Sequence, residues 1–355
     1  MKSKSDNNLK AFLALVSAGL WDKEVHLSQY GRIEFPAIAK MSDEQSVVGL
    51  VTAGLDKVTD VKVPQAVLLQ FIGSTLQIEQ RNKDMNQFLA ETVEKMRRAS
   101  IYGLLVKGSG LAQCYEKPLW RSCGDIDFFF SKDEYPKAVN FFTSLSGGNV
   151  VQNAQYTKSF GVVIEPWFIE LHGTMRNGLS SRMDREIDAV QRDLFYGGNV
   201  RSWQNGRTQI FLPNANNDAF LVFVHFVRHF YQNEFVLRQI CDWCRLLWTY
   251  RDKIDAKLLE SRLQRAGLLN EWRAFAAVAV KYLGMQEEAI PLHSKEKKWS
   301  KKADKIINLV MGGNYGKTRY ILKLAMIFPW NTMKFLPGIL FFVNGLKIKE
   351  RVFGE

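Results

Sequence analysis

Residues 107–127 read KGSGLAQCYEKPLWRSCGDID and follow the apolar run 101–106. That run predicts a buried strand. It delivers the chain to Gly108, Ser109 and Gly110, where small residues let backbone N–H groups approach a phosphate at the start of a helix. Leu111, Cys114 and Tyr115 at i, i+3, i+4 spacing predict an amphipathic helix next. The chain then enters a second strand. Side chains in a strand alternate faces, so Ile126 points into the core while Asp125 and Asp127 emerge together on an open face, near enough to share a divalent cation. A glycine-rich turn or an Asp-apolar-Asp pattern alone is a weak signal, and it is their order along one chain that carries the reading. The expected fold class is α+β: a small mixed β-sheet with helical lobes before and after it.

Electrostatics explains why an acidic pair would stand here. Two carboxylates a few ångströms apart in a partly buried cleft repel each other, and Phe128, Phe129 and Phe130 beside them make unpaired charge costlier. A bound cation reverses that cost. Magnesium suits an all-oxygen site completed by substrate phosphates and water. A third carboxylate is then expected on a neighbouring strand, and Glu170, between Ile169 and Leu171 in the strand-like run 162–171, has the same setting as Asp127. Glu165 is the rival, but Pro166 follows it, and proline is kept to strand ends and edges. His172 shares Glu170's face by alternation, placed to orient Glu170 or to touch substrate. Lys107 ends a buried strand and needs a polyphosphate or a loop carboxylate as partner. Arg121 is placed either to meet a phosphate in bidentate fashion or to form a structural ion pair.

The pattern resembles the nucleotidyltransferase superfamily, with Lys107-Gly108-Ser109 and Asp125-Ile126-Asp127-Phe128 at the positions of its signature. More narrowly, Lys-Gly, then Arg121, the Gly-Asp-Ile-Asp of residues 124–127, and Glu170-Leu171-His172 are similar to a bacterial family described as uncharacterised nucleotidyltransferase. The resemblance covers roughly 101–173 well and reaches about residue 269 more loosely. The gap after Gly-Ser is longer than in compact members, so the first helix or its exit loop should be longer. The resemblance implies transfer of a nucleoside monophosphate from a nucleoside triphosphate, ATP the favoured donor, to an acceptor hydroxyl by metal-assisted in-line displacement, with a small molecule or sugar the favoured acceptor. It implies Asp125, Asp127 and Glu170 as catalytic and metal-binding residues, one or two Mg2+ ions, and Lys107, Gly108, Ser109 and Arg121 on the nucleotide. The helical text 224–229 with 237–242 resembles the same family, which makes Arg228, His229, Arg238 and Asp242, with His172, further substrate candidates. The alternative is a non-catalytic nucleotide- or RNA-binding scaffold on the same fold.

Four segments are expected: a helical lobe over 1–98, a catalytic core over 99–212, a second helical lobe over 213–290 and a basic, apolar extension over 291–355. Within the core, Asp133 is a candidate helix cap, a turn at 159–161 should separate two strand-like runs, and Asn205-Gly206 predicts a hairpin near the acceptor. Helices are expected over 220–231, 235–250, 256–265 and 271–283. Cys114, Cys123, Cys241 and Cys244 are too few and dispersed for a disulfide framework. The spacing His225-x3-His229 and Cys241-x2-Cys244 admits a structural zinc, but apolar surroundings favour cysteines packed as small hydrophobes.

The chain of 355 residues carries 48 Lys plus Arg against 36 Asp plus Glu, a net charge of +12. A surplus of this kind favours an anionic partner. It is concentrated in 295–305 and 347–351, on either side of the apolar run 320–343. Packing of that run on the core is the favoured expectation, and rest on an anionic membrane surface the alternative. No uninterrupted apolar stretch suggests a membrane span, and the polar start of the chain is unlike a signal, so the expected location is the cytoplasm.

Overall fold

Phe12, Leu13 and Val16 recur at helical spacing, and they lie buried on α1 (Lys2–Trp21). In the computed structural model, which describes residues 2–154, 158–313 and 315–352, α1 is followed by α2 (Phe35–Glu44), α3 (Val48–Leu55) and α4 (Gln65–Arg98). The 34 residues of α4 serve two cores. Phe71 near its start joins the helical core beside α3, whereas Met85, Leu89, Val93 and Met96 pack under the sheet.

The sheet begins with β1 (Gly103–Val106), which leads into α5 (Gly108–Ala112). The expected amphipathic helix ends there. Leu111, Cys114 and Tyr115 are all buried, but only the first is helical, so the extra length lies in the exit loop rather than the helix. Then come β2 (Ile126–Phe130), α6 (Glu134–Leu145), β3 (Val150–Ala154), β4 (Ser159–Ile164) and β5 (Trp167–His172). Strand order is β1-β2-β5-β4-β3, with β2 and β5 parallel and the other neighbours antiparallel. Ile126, Phe128, Phe130, Ile169 and Leu171 face a core shared with α4 and α6.

Two expectations are corrected in this region. Ser159, Phe160 and Gly161 do not form a turn: they open β4, pairing with His172, Leu171 and Glu170. The run 162–171 is two strands rather than one, broken at Glu165-Pro166, where proline cannot donate to a ladder. Asp133 does stand before α6 but makes no side-chain cap; the Glu134 N–H donates to Ser131 Oγ at 3.2 Å instead.

After α7 (Ser181–Tyr196), β6 (Val200–Asn205) and β7 (Thr208–Pro213) form the hairpin that Asn205-Gly206 predicts. Its Ile210 and Leu212 join the sheet core, and Asn205 Nδ2 donates to the Asn86 carbonyl at 2.7 Å. The helices α8 (Ala215–Gln232), α9 (Leu237–Thr249), α10 (Ala256–Ala266) and α11 (Leu269–Leu283) fall where they were expected. They pack through edge-on aromatic contacts such as Phe226 to Phe275, 4.9 Å between ring centres, and Trp243 to Trp272, 4.8 Å. The chain closes with α12 (Lys297–Val310), α13 (Lys317–Ile327) and α14 (Pro329–Val352). Among the described residues no helix is long and apolar enough to cross a membrane.

Candidate active site

The parallel register of β2 and β5 sets Asp127 directly beside Glu170, and the antiparallel register of β1 and β2 sets Val106, just before the glycine turn, beside Asp127. Three segments distant in sequence therefore deliver their polar ends to one point. Lys107 follows β1 in a left-handed backbone conformation (φ 57°) that non-glycine residues seldom adopt. From there its Nζ donates to Asp127 Oδ1 at 2.5 Å. Gly108, also at positive φ, passes so close to the Asp125 carbonyl that a Cβ there would lie 3.3 Å from it. That fit and the positive φ together disfavour a side chain at the turn.

Asp127 is 2% exposed. Burial alone would raise its carboxyl, but Lys107 and His172 outweigh burial and hold it well below the usual range. Burial would likewise lower the Lys107 ammonium, and the attraction of Asp127, with Glu170 and Asp125 behind it, leaves it raised. His172 Nε2 lies 2.8 Å from Asp127 Oδ1 and 3.5 Å from Glu170 Oε2, so it spans both carboxylates. Glu170 is held from the opposite side: Ser159 Oγ donates to Oε1 at 2.5 Å and Gln152 Nε2 at 3.2 Å. Asp125 stands one step outside this group. Repulsion from Asp127, then burial, raises its carboxyl above the ordinary range.

Asp127, Glu170 and His172 each offer one ligand atom within 4.8 Å of the others, and among the described residues no other His, Cys, Asp or Glu group meets that spacing. The donor set fits a hard divalent cation in its two carboxylates, and the raised Asp125 marks negative charge that such a cation would relieve. His172, which the sequence placed on this face to orient Glu170 or to touch substrate, stands in the set where Asp125 was expected, and Asp125 lines the same cleft.

A cleft of about 280 Å³ opens over the group. Its floor carries Lys107, Gly108, Asp125, Asp127 and Glu170; its far wall is α8 and the start of α9, with Val222, His225, Phe226, His229 and Arg238. Burial and the nearby Lys107 push His225 well below its ordinary value, so it presents a neutral imidazole. The His225 and His229 rings lie 4.5 Å apart, and His229 Nδ1 is 3.2 Å from Glu234 Oε2. Sequence reasoning passed over His225 as half of a zinc pattern. Cys241 and Cys244, its supposed partners, are fully buried in the helical core.

The remaining candidates separate into those the cleft reaches and those it does not. Arg121 lines it, but its donors are committed: Nε and Nη2 bind Asp242 at 3.0 and 2.7 Å, and Nη1 donates to the Ser122 carbonyl at 3.1 Å. Of the two roles open to Arg121, the structure holds the ion pair. Asp242, accepting also from Tyr115 Oη at 2.7 Å, is its partner rather than a free substrate contact. Arg238 donates to the Ser122 carbonyl at 2.6 Å. Ser109 turns its hydroxyl away from the cleft toward the sulfurs of Met85 and Cys123, because its position on α5 faces the sheet core. Arg228 bonds Gln232 at 3.2 Å and does not line the cleft. No residue of the β6–β7 hairpin lines it either, contrary to its expected place at the acceptor. Glu165 sits exposed in the β4–β5 turn, away from Glu170's position. Ser159 and Gln152 were missed, the first because it was read as a turn.

A mixed sheet with an acidic residue on each of two parallel neighbouring strands, facing a glycine turn and overhung by helices, defines the nucleotidyltransferase class. The chain belongs to the family described as uncharacterised nucleotidyltransferase, whose pattern matches residues 32–284, more than two thirds of its length and some way N-terminal of the resemblance read from the motifs. No match is found among curated proteins or solved structures.

Proposed function

We propose that this protein moves a nucleoside monophosphate from a nucleoside triphosphate, ATP by preference, to an acceptor hydroxyl on a small molecule or sugar, with Mg2+ at Asp127 and Glu170 and Asp125 completing the acidic set. The observation that carries this reading is the lateral pairing of Asp127 with Glu170 on parallel strands beneath the cleft. The acceptor oxygen bonds the α-phosphorus as the bond to the bridging oxygen breaks, and pyrophosphate leaves. The acceptor proton passes to a carboxylate of the acidic set. A cation held there supplies charge neutralisation to the phosphates and to both attacking and leaving oxygens. Lys107 is the chain's own cation at the cleft floor and meets phosphate charge at the glycine turn. His172 keeps Asp127 and Glu170 aligned, and Ser159 and Gln152 hold one Glu170 oxygen so that the other faces the cleft. Neutral His225 on the far wall is suited to a base or acceptor hydroxyl rather than to phosphate. The basic segments are separate in sequence from this acidic centre, which favours a small acceptor over RNA.

A second reading, a nucleotide-binding scaffold without turnover, is favoured by one observation: Asp127 is already paired with Lys107 and in hydrogen-bond contact with His172. Calorimetric titration with each nucleoside triphosphate, with and without Mg2+, separates the two. It is run on the wild type, the Asp125→Asn, Asp127→Asn double variant, and the Asp125→Asn single variant, which keeps the Lys107–Asp127 pair. Magnesium-dependent binding weakened in both variants, with pyrophosphate released in an acceptor screen, is the expected result. Binding that ignores Mg2+ and both substitutions would overturn the enzyme reading.

A further inference from the structure

Helices α13 and α14 are apolar on two sides. Their inner sides pack on the helical core through Leu324, Ile327, Phe328, Phe335 and Ile339. Their outer sides carry Leu322, Met326, Trp330 and Met333, which are 61%, 64%, 72% and 61% exposed. Leu322 and Met326 are one turn apart on α13; Trp330, Met333, Pro337 and Leu340 follow at helical spacing on α14, all exposed. Exposed apolar residues grouped this way on a water-soluble surface mark an interaction site.

The charge around them is predominantly positive. From Lys305 through Lys349 the chain has seven Lys or Arg and no Asp or Glu. Lys305 on α12 donates to the Met326 carbonyl at 3.2 Å, which sets the basic helix against the end of α13, and Lys301 one turn earlier is exposed. Arg319 and Lys334 are exposed on α13 and α14. Two carboxylates do approach from neighbouring helices. Glu271 is buried beneath Asn331, and Asp304 is held by Lys281 and Tyr282.

We propose that this face docks on an anionic lipid bilayer, with Leu322, Met326 and Met333 entering the acyl boundary, Trp330 at headgroup level and the surrounding lysines and arginines on anionic headgroups. Aliphatic side chains favour a bilayer over nucleic acid, which would take stacked aromatics along a basic track. A second copy of this chain is disfavoured by charge: a two-fold contact would set this cationic face against itself. The site cleft, built on the sheet and α8, lies on other elements, so the surface would hold the protein at a membrane without entering the acidic site.

The full chain is tested by co-sedimentation with phosphatidylcholine vesicles containing about 30% phosphatidylserine and with vesicles of phosphatidylcholine alone. Binding to the anionic vesicles only is expected, weakened in about 0.5 M salt, where the screening length drops below about 5 Å. The Leu322→Gln, Met326→Gln, Trp330→Gln, Met333→Gln variant and the Lys301→Gln, Arg319→Gln, Lys334→Gln variant should each bind at least about ten-fold more weakly, with thermal midpoints within about 2 °C of wild type because the altered side chains are exposed. Equal binding to both vesicles, or to neither, overturns the proposal. So does a wild-type dimer in light scattering that the apolar variant converts to monomer, which would assign the face to self-association.

Discussion

Repulsion from Asp127 holds the Asp125 carboxyl above its usual range, while the unfolded chain releases that proton at the ordinary carboxylate pH. The cost to folding therefore appears as pH rises past the unfolded value and is complete above the folded one. Asp125→Asn should make the metal-free protein more stable at pH 7 by about 1 kcal/mol, and the gain should vanish below about pH 3.5. Urea unfolding at the two pH values measures this. A loss at pH 7 would mean that Asp125 is stabilised by its surroundings, and the charge excess inferred at the cleft would be absent. Asp127 has the opposite sign. Its depressed carboxyl contributes stability at every pH above the ordinary carboxylate range, lost only as pH falls toward its lowered value. Removing its charge strands the Lys107 ammonium in a buried place, at a cost of about 3–5 kcal/mol. The two aspartates of one Asp-Ile-Asp motif thus separate by stability measurement alone, before any substrate is known.

At the scale of elements, Glu170 is aimed by Gln152 of β3 and Ser159 of β4 as well as by His172 of its own strand. Ser159→Ala removes the shorter of the two hydrogen bonds to Oε1 and leaves Gln152 alone, and turnover should fall about ten-fold while triphosphate affinity holds, since the carboxylate remains but its orientation is loosened. Changed affinity with unchanged turnover would place Ser159 outside the chemistry. The Arg121–Asp242 pair joins the exit loop of α5 to α9, so Arg121→Lys, which keeps the charge but not the fork, should lower stability by about 3 kcal/mol with nucleotide affinity little altered. The reverse outcome would return Arg121 to the phosphates. These two cases also show what a single sequence reveals. Alternation told correctly that Glu170 and His172 share one face of β5, because that period is local to the strand, whereas Asp125, expected beside Asp127 by the same rule, lies just before β2 opens at Ile126. It could not place Ser159 beside Glu170 or Asp242 beside Arg121. Those contacts are set by strand register and by helices more than a hundred residues away, and no periodicity encodes them. Pro166 did announce the break between β4 and β5, and it was used against Glu165 without being used to split the run.

Across the whole molecule, the helical core and the C-terminal helices meet at Glu271. It is fully buried on α11, accepts from Tyr231 Oη of α8 at 2.8 Å and from Asn331 Nδ2 of α14 at 2.7 Å, and its other oxygen has no hydrogen-bond partner among the described residues. Burial raises its carboxyl despite those donors and despite Lys302 nearby. A group raised in the fold costs stability as pH climbs from its unfolded value toward its folded one, the interval in which the unfolded chain has lost the proton and the fold still holds it. The difference in unfolding free energy between wild type and Glu271→Gln should therefore fall steadily as pH rises, whatever the fixed cost of the amide, which is about 1 kcal/mol at acid pH. Thermal unfolding across the pH range measures that slope. A difference that rises with pH would show the carboxylate to be the favoured form and would remove burial as its dominant influence. The slope also bears on α14: Asn331 donates in addition to the Gly267 carbonyl at 2.9 Å, so the seat of α14, and with it the direction in which Trp330 and Met333 face, rests on a group whose ionisation works against the fold. The raised carboxyl of Glu271 and the outward apolar face of α14 are consequences of the same packing, and conditions that ionise the first should loosen the second.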